Sequence, residues 1–63
     1  MKSLYMRAFE HLISLGFSED DSEAILAMDL DSESQRSEHF DHILECDAED
    51  ITNWIGIRPE AER

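Results

Sequence analysis

The chain has 63 residues and a formal net charge of −11, from sixteen acidic and five basic side chains. A single cysteine excludes a disulfide within the chain and suits a reducing compartment, and the negative charge disfavours direct contact with nucleic acid. No stretch approaches the ~20 consecutive apolar residues of a transmembrane helix, and Arg7, Glu10 and His11 interrupt the first apolar segment, so the sequence predicts neither a membrane span nor a secretory signal.

A first helix is predicted to begin near Ser3 and end near Leu15. Gly16 follows where a helix C-cap favours a residue without Cβ, and Phe17 is expected to fold back on Leu12, as in a Schellman motif. Apolar residues form a wide stripe on this helix: Leu4, Tyr5, Ala8, Phe9, Leu12, Ile13 and Leu15.

The width of this stripe predicts self-association. A chain of this size has little core of its own, and an exposed apolar stripe is typical of an interface. We therefore expect a homodimer whose contact surface includes Tyr5, Phe9, Leu12 and Ile13.

Ser18 is expected to cap a second helix, with acidic residues in its first turn where they meet the positive end of the helix dipole. Asp29 and Asp31 mark the end of this helix. Its apolar residues are spread around the helix, which predicts packing against more than one neighbour: Ala24, Ile25, Leu26, Met28 and Leu30.

The second half predicts two more helices. Ser32 to Gln35 is a capping-box pattern, from which a third helix should run to about Glu45. Asp47 should cap a short fourth helix that ends at Gly56, and Pro59 prevents its continuation. The tail from Glu60 to Arg63 is expected to be loose.

These elements predict an all-α fold, a compact bundle of three to four short helices forming a single domain over residues 1–63. Its second half is expected to contain two helices packed at an angle, as in a helix-turn-helix. The core is expected to draw on Phe9, Leu12, Ile13, Phe17, Ile25, Met28, Phe40, Leu44, Ile51 and Trp54.

His39, His42 and Cys46 are spaced so that three side chains of one helix could reach one zinc ion, with Glu38 or Glu45 as a fourth ligand. No paired ligand framework accompanies them, so we predict no metal and no cofactor. Catalysis by a Cys–His pair is also not expected, because carboxylates near Cys46 would raise the pKa of its thiol.

Two segments resemble known families. The stretch from Ile51 to Arg63, ITNWIGIRPEAER, resembles the recognition-helix end of Cro- and repressor-type phage regulators. Carboxylates at Asp41 and Glu45 depart from that family's pattern, and Asp47, Glu49 and Asp50 would meet DNA phosphates with like charge. The Leu15-Gly16-Phe17 loop is similar to the loop with which ubiquitin-associated domains bind ubiquitin, although a helix cap with its apolar contact explains it fully.

From MKSLYMRAFEHLISLGF to PEAER, the sequence resembles the small acidic open-reading-frame products of the exo–xis region of lambdoid bacteriophages. The resemblance implies expression in a bacterial host cytoplasm and an influence on the lysis–lysogeny decision or on host physiology, without a catalytic site.

We therefore expect a non-enzymatic regulatory protein that binds a host or phage protein, one with a basic surface, through an acidic face. A nucleic-acid mimic that blocks a DNA-binding protein and a divergent helix-turn-helix regulator are the alternatives. The acidic face is expected to comprise Glu19, Asp20, Asp21, Glu23, Glu38, Asp41, Glu45, Asp47, Glu49 and Asp50.

Overall fold

A computed structural model describes residues 1–28 and 33–62, which form α-helices, one short 3-10 helix and no strand. The predicted all-α fold is confirmed. The expected end of the second helix, at Asp29 and Asp31, and the Ser32 cap of the third lie outside the described residues. The helices are α1 (Leu4–Ser14), α2 (Glu19–Leu26), α3 (Glu33–Glu45) and α4 (Ala48–Ile55), and the 3-10 helix is Glu60–Glu62.

Side-chain caps begin α1, α2 and α4, the helices whose preceding residues the structure describes. A serine or aspartate in extended conformation precedes each one, and its side-chain oxygen accepts the backbone N–H three residues on, which stabilises a helix by about 1 kcal/mol. These bonds confirm the predicted caps of α2 and α4. They join Ser3 Oγ to Met6 N at 3.1 Å, Ser18 Oγ to Asp21 N at 3.1 Å, and Asp47 Oδ1 to Asp50 N at 2.9 Å.

Glycines end α1 and α4, as predicted. Gly16 has φ +103° and donates its N–H to Ile13 O at 3.0 Å, while Phe17 donates to Leu12 O at 3.2 Å. These two bonds are the pair that defines a Schellman motif. Gly56 closes α4 with φ +90°, in the left-handed region where a side chain would be strained.

α1 lies at the centre of the bundle and packs against both α2 and α3. Each α-helix contributes one large, fully buried aliphatic side chain to a shared core: Leu12, Ile25, Ile43 and Ile51. Burying such a side chain contributes about 1.5–3 kcal/mol. The remaining core residues are Ala8, Phe17, Leu26, Phe40 and Cys46. The Cα radius of gyration is 11.0 Å, close to the ~10.6 Å expected of a compact chain of this length.

Three residues that were predicted to lie in the core are exposed instead, so their assignment was wrong. Ile13 is 39% exposed, because α1 buries Ala8 and Leu12 on one side and Ile13 lies 100° further round the helix. Met28 is exposed because α2 ends at Leu26. Trp54 is 42% exposed and contacts histidine rings at the surface.

The second helix and the tail also differ from expectation. α2 buries one face only, formed by Ser22, Ile25 and Leu26, and Ala24 is exposed. The tail is not loose over Glu60–Glu62, which form the 3-10 helix. The buried Pro59 approaches Gly16, and the Glu60 N–H donates to Gly16 O at 3.0 Å.

No helix within the described residues is long and apolar enough to span a membrane.

Candidate functional site: a groove between α3 and α4

The connection between α3 and α4 is only two residues long, Cys46 and Asp47. The two helices therefore diverge from a tight corner, and each presents residues at spacings i, i+3 and i+4, which share one helix face. An open groove of about 520 Å³ lies between these faces. It is lined by His42 and Glu45 from α3, by Cys46 from the connection, and by Asp50, Asn53 and Trp54 from α4. We call it the α3–α4 groove.

Trp54 is held in the groove by two histidine rings. Its ring centroid lies 4.6 Å from that of His42 at an interplanar angle of 86°, and 5.1 Å from that of His39 at 62°. His39 is only 6% exposed, and its Nε2 lies 2.9 Å from Ile25 O. Since a carbonyl oxygen can only accept, Nε2 is the donor. The indole is therefore positioned against a fixed ring while much of its surface stays open to solvent.

Carboxylates surround Cys46 in the groove. Burial raises the pKa of the Cys46 thiol, and the negative charges of Asp50, Asp47 and Glu45 raise it further, in that order. The predicted effect of neighbouring carboxylates is confirmed. At neutral pH a thiol in this environment keeps its proton, and so lacks the thiolate that a cysteine nucleophile needs.

The ten candidate carboxylates of the acidic face are distributed over three helices. Nine are exposed, and Asp21 is partly buried. The structure brings Glu45, Asp47 and Asp50 together around Cys46. The others lie on α2 (Glu19, Asp20, Asp21 and Glu23), on α3 (Glu38 and Asp41) and on α4 (Glu49).

The candidate zinc ligands are not arranged around a common point. Among the described residues, no group of three or more His, Cys, Asp or Glu side chains could hold one metal ion. His39 is buried with its Nε2 on Ile25 O, whereas His42 is exposed beside Trp54.

One of the four residues expected on the self-association surface does not lie on the surface. Leu12 is fully buried in the core, so it cannot contact a second copy. Tyr5 is 43% exposed and packs edge-on against Phe40 at 5.8 Å, Ile13 is exposed, and Phe9 is partly buried. Self-association through these three residues stays a prediction.

The two segments that resemble known families both make contacts within this chain. Phe17 is buried in the core, and Gly16 is approached by Pro59. In the second half, the α3–α4 connection lacks the glycine frequent in a helix-turn-helix, and is shorter than its turn of about 3–4 residues. On the segment that resembles a recognition helix, the Thr52 hydroxyl has Ala48 O at 2.9 Å and Ile57 O at 3.1 Å as acceptors.

The α3–α4 groove was not predicted from the sequence. From the sequence, Trp54 was expected in the core, His42 was considered as a metal ligand, and Glu45 and Asp50 were expected on an acidic face. The available signal was the matching i, i+3, i+4 spacing of His42-Glu45-Cys46 and Asp50-Asn53-Trp54 on either side of the Asp47 cap.

No protein-family model matches this chain, and no curated protein or solved structure matches it either.

Proposed function

We propose that this protein is a non-enzymatic regulator that acts by binding a host or phage protein with a basic surface through its acidic face. The observation that carries the proposal is the exposure of nine of the ten candidate carboxylates. An ion pair joins Lys2 Nζ to Glu10 Oε2 at 2.6 Å, and neither residue belongs to the acidic face.

Like charges held close together repel, and this repulsion costs stability in a compact chain. Glu45, Asp47 and Asp50 are close enough to act jointly on one thiol. A basic partner would relieve their repulsion. The negative charge of the surface would also steer that partner toward it, which raises the rate of encounter. The resemblance of the sequence to lambdoid phage products supports a role in the lysis–lysogeny decision or in host physiology.

Charge-selective capture from bacterial lysate, prepared early in phage infection, tests the proposal. The face variant carries Glu19→Gln, Glu23→Gln, Glu38→Gln and Glu49→Gln, all exposed and none a helix cap or a groove residue. The control variant carries Glu10→Gln, Glu60→Gln and Glu62→Gln, which are exposed but lie outside the acidic face.

We expect the native protein and the control variant to capture the same partner, and the face variant to capture much less of it. The purified partner should then bind the native protein with an affinity that falls as salt rises. Equal capture by all three proteins, or a partner whose affinity does not change with salt concentration, would refute the proposal. Release of the captured partner by duplex DNA would identify the nucleic-acid mimic as the form that this binding takes.

A further inference from the structure

The α3–α4 groove combines two features that together favour a basic ligand. One is a tryptophan with 42% of its surface exposed, held at the groove by His39 and His42. The other is a pair of exposed carboxylates, Glu45 and Asp50, contributed from opposite walls. Exposed tryptophan is enriched where proteins bind each other, because its ring offers a large apolar area with a small loss of side-chain entropy.

The chemistry of the lining is selective for a cation. Among the described residues, no lysine or arginine lines the groove, and the basic group that does is the imidazole of His42. An indole face attracts a cation within about 6 Å, and the carboxylates of Glu45 and Asp50, with the amide oxygen of Asn53, accept hydrogen bonds from one. The buried Cys46 also lines the groove and is uncharged at neutral pH, which suits the apolar stem of a long basic side chain.

We propose that the α3–α4 groove receives an arginine side chain of the partner protein, with the guanidinium stacked on Trp54 and hydrogen-bonded to Glu45 or Asp50. Arginine fits better than lysine because its planar group stacks on an aromatic ring and pairs with a carboxylate through two parallel bonds. This inference rests on the proposed function and names the partner chemistry that the acidic face would recognise.

Two capped peptides of equal charge test the inference, one with the sequence Gly-Arg-Arg-Gly and one with Gly-Lys-Lys-Gly. Trp54 is the only tryptophan, so its fluorescence reports directly on the groove, and backbone amide NMR shifts show which other residues respond. Glu45→Gln and Asp50→Asn each remove one groove carboxylate. Glu49→Gln is the matched control, because it removes an exposed charge from the same first turn of α4 without altering the lining.

We expect the arginine peptide to change Trp54 emission saturably at millimolar concentration and to shift amides of residues 42–54. The lysine peptide should bind at least about 3-fold more weakly. In the Trp54→Leu variant, in which NMR shifts measure binding instead of fluorescence, the two peptides should bind equally. Glu45→Gln and Asp50→Asn should each weaken arginine binding by about 3- to 5-fold more than Glu49→Gln does.

Three outcomes would overturn the inference. The first is equal binding of the two peptides, the second is an equal loss in Asp50→Asn and Glu49→Gln, and the third is no response of Trp54 to either peptide. None of them would by itself refute the proposed function, because charge-selective capture tests the acidic face with variants that leave the groove intact. If capture fails as well, both proposals are wrong.

Discussion

His11 and His39 each use Nε2 to donate a hydrogen bond to a backbone carbonyl beside a helix end, where carbonyls lack intrahelical partners. His11 Nε2 lies 2.8 Å from Cys46 O, which ties α1 to the α3–α4 connection, and His39 ties α3 to Ile25 at the end of α2. The two acceptors are 35 and 14 residues away in sequence. The sequence therefore shows the histidines but not what they bind, and helical spacing alone suggested a metal site for His39.

Ser22 is the residue whose replacement should stabilise the fold. It is fully buried in α2, and its Oγ has no hydrogen-bond partner among the described residues. A buried unpaired hydroxyl costs about 1–3 kcal/mol, and alanine also has the higher helix propensity. We expect Ser22→Ala to raise the free energy of unfolding by about 1–2 kcal/mol in urea denaturation.

The exposed helical serine Ser37 provides the control, since Ser37→Ala changes helix propensity alone. It should gain no more than about 0.5 kcal/mol. If Ser22→Ala loses stability, the hydroxyl has a favourable partner and the argument from an unpaired group is wrong.

Cys46 should make the fold sensitive to alkaline pH. Its pKa is raised in the folded protein, by burial first and then by Asp50, Asp47 and Glu45, so the folded state holds the thiol proton more tightly than the unfolded chain. The stabilisation from this difference is fully present below the ordinary thiol pKa and is lost as pH rises through the folded pKa. We expect the native protein to lose stability from about pH 8 to pH 10, across and above that ordinary value.

Cys46→Ala isolates this effect, because every other group that titrates at alkaline pH remains. The variant should be less stable at neutral pH, since it leaves a small cavity. Its free energy of unfolding should fall less steeply over the same pH range than that of the native protein. Parallel slopes in urea denaturation at several pH values would show that Cys46 has the same pKa in both states.

At the scale of elements, the helix ends were the most predictable feature. Ser18, Asp47 and Gly16 act through bonds to residues at most five positions away, so a short window of sequence contains both partners. α2 ends at Leu26 without a glycine cap, so no comparable local signal marks that end. The 3-10 turn after Pro59 depends on Gly16 O, which is distant in sequence, and a local pattern cannot show it.

The two C-cap glycines should differ little in their response to alanine. Gly16 (φ +103°) and Gly56 (φ +90°) both have a backbone conformation that costs a residue with Cβ about 1–2 kcal/mol. A Cβ at Gly16 would meet Pro59 Cβ at 3.5 Å, an ordinary contact, and one at Gly56 would meet nothing within 4 Å. We therefore expect Gly16→Ala and Gly56→Ala to destabilise by similar amounts in chemical denaturation. A much larger loss for Gly16→Ala would show that the tail cannot adjust to the added methyl group.

At the scale of the whole molecule, the sequence predicted the class of fold but only half of the expected core. Leu12, Phe17, Ile25, Phe40 and Ile51 are buried as expected. Ala8, Leu26, Ile43 and Cys46 complete the core because of the way α1 packs against its neighbours, which hydrophobicity alone does not encode. Trp54 was expected in the core, and its exposure is what makes the α3–α4 groove a candidate binding site.

Charge repulsion should act across the whole molecule. Thirteen acids and one base, Arg36, lie between Glu19 and Asp50, and the net charge is −11. The molecule measures 32 × 25 × 20 Å, so at an ionic strength of about 0.01 M, where the screening length is about 30 Å, almost every charge interacts with every other. At about 0.15 M the length falls to about 8 Å, and only neighbouring charges still interact.

We therefore expect added sodium chloride to stabilise the fold at neutral pH. Folding brings the acids closer together, so screening lowers the free energy of the folded state more than that of the unfolded chain. Two favourable contributions to folded-state stability would weaken in salt. The exposed Lys2–Glu10 ion pair contributes about 0–1 kcal/mol. The acids in the first turns of α2 and α4 contribute about 0.3–1 kcal/mol each through the helix dipole. Five of the thirteen acids occupy those first turns, and we expect repulsion among the whole set to outweigh these contributions. A net gain of about 1 kcal/mol would raise the melting temperature by about 4–8 °C between 0.01 and 0.15 M.

Circular dichroism melts at the two salt concentrations measure this shift, and repeating them at two protein concentrations separates it from salt-induced self-association. Choline chloride should give the same shift as sodium chloride, because screening depends on ionic strength and not on the cation. A melting temperature that falls with both salts would mean that the carboxylates make specific favourable contacts within the fold, and an acidic face free to bind a basic partner would then be the wrong description of this surface.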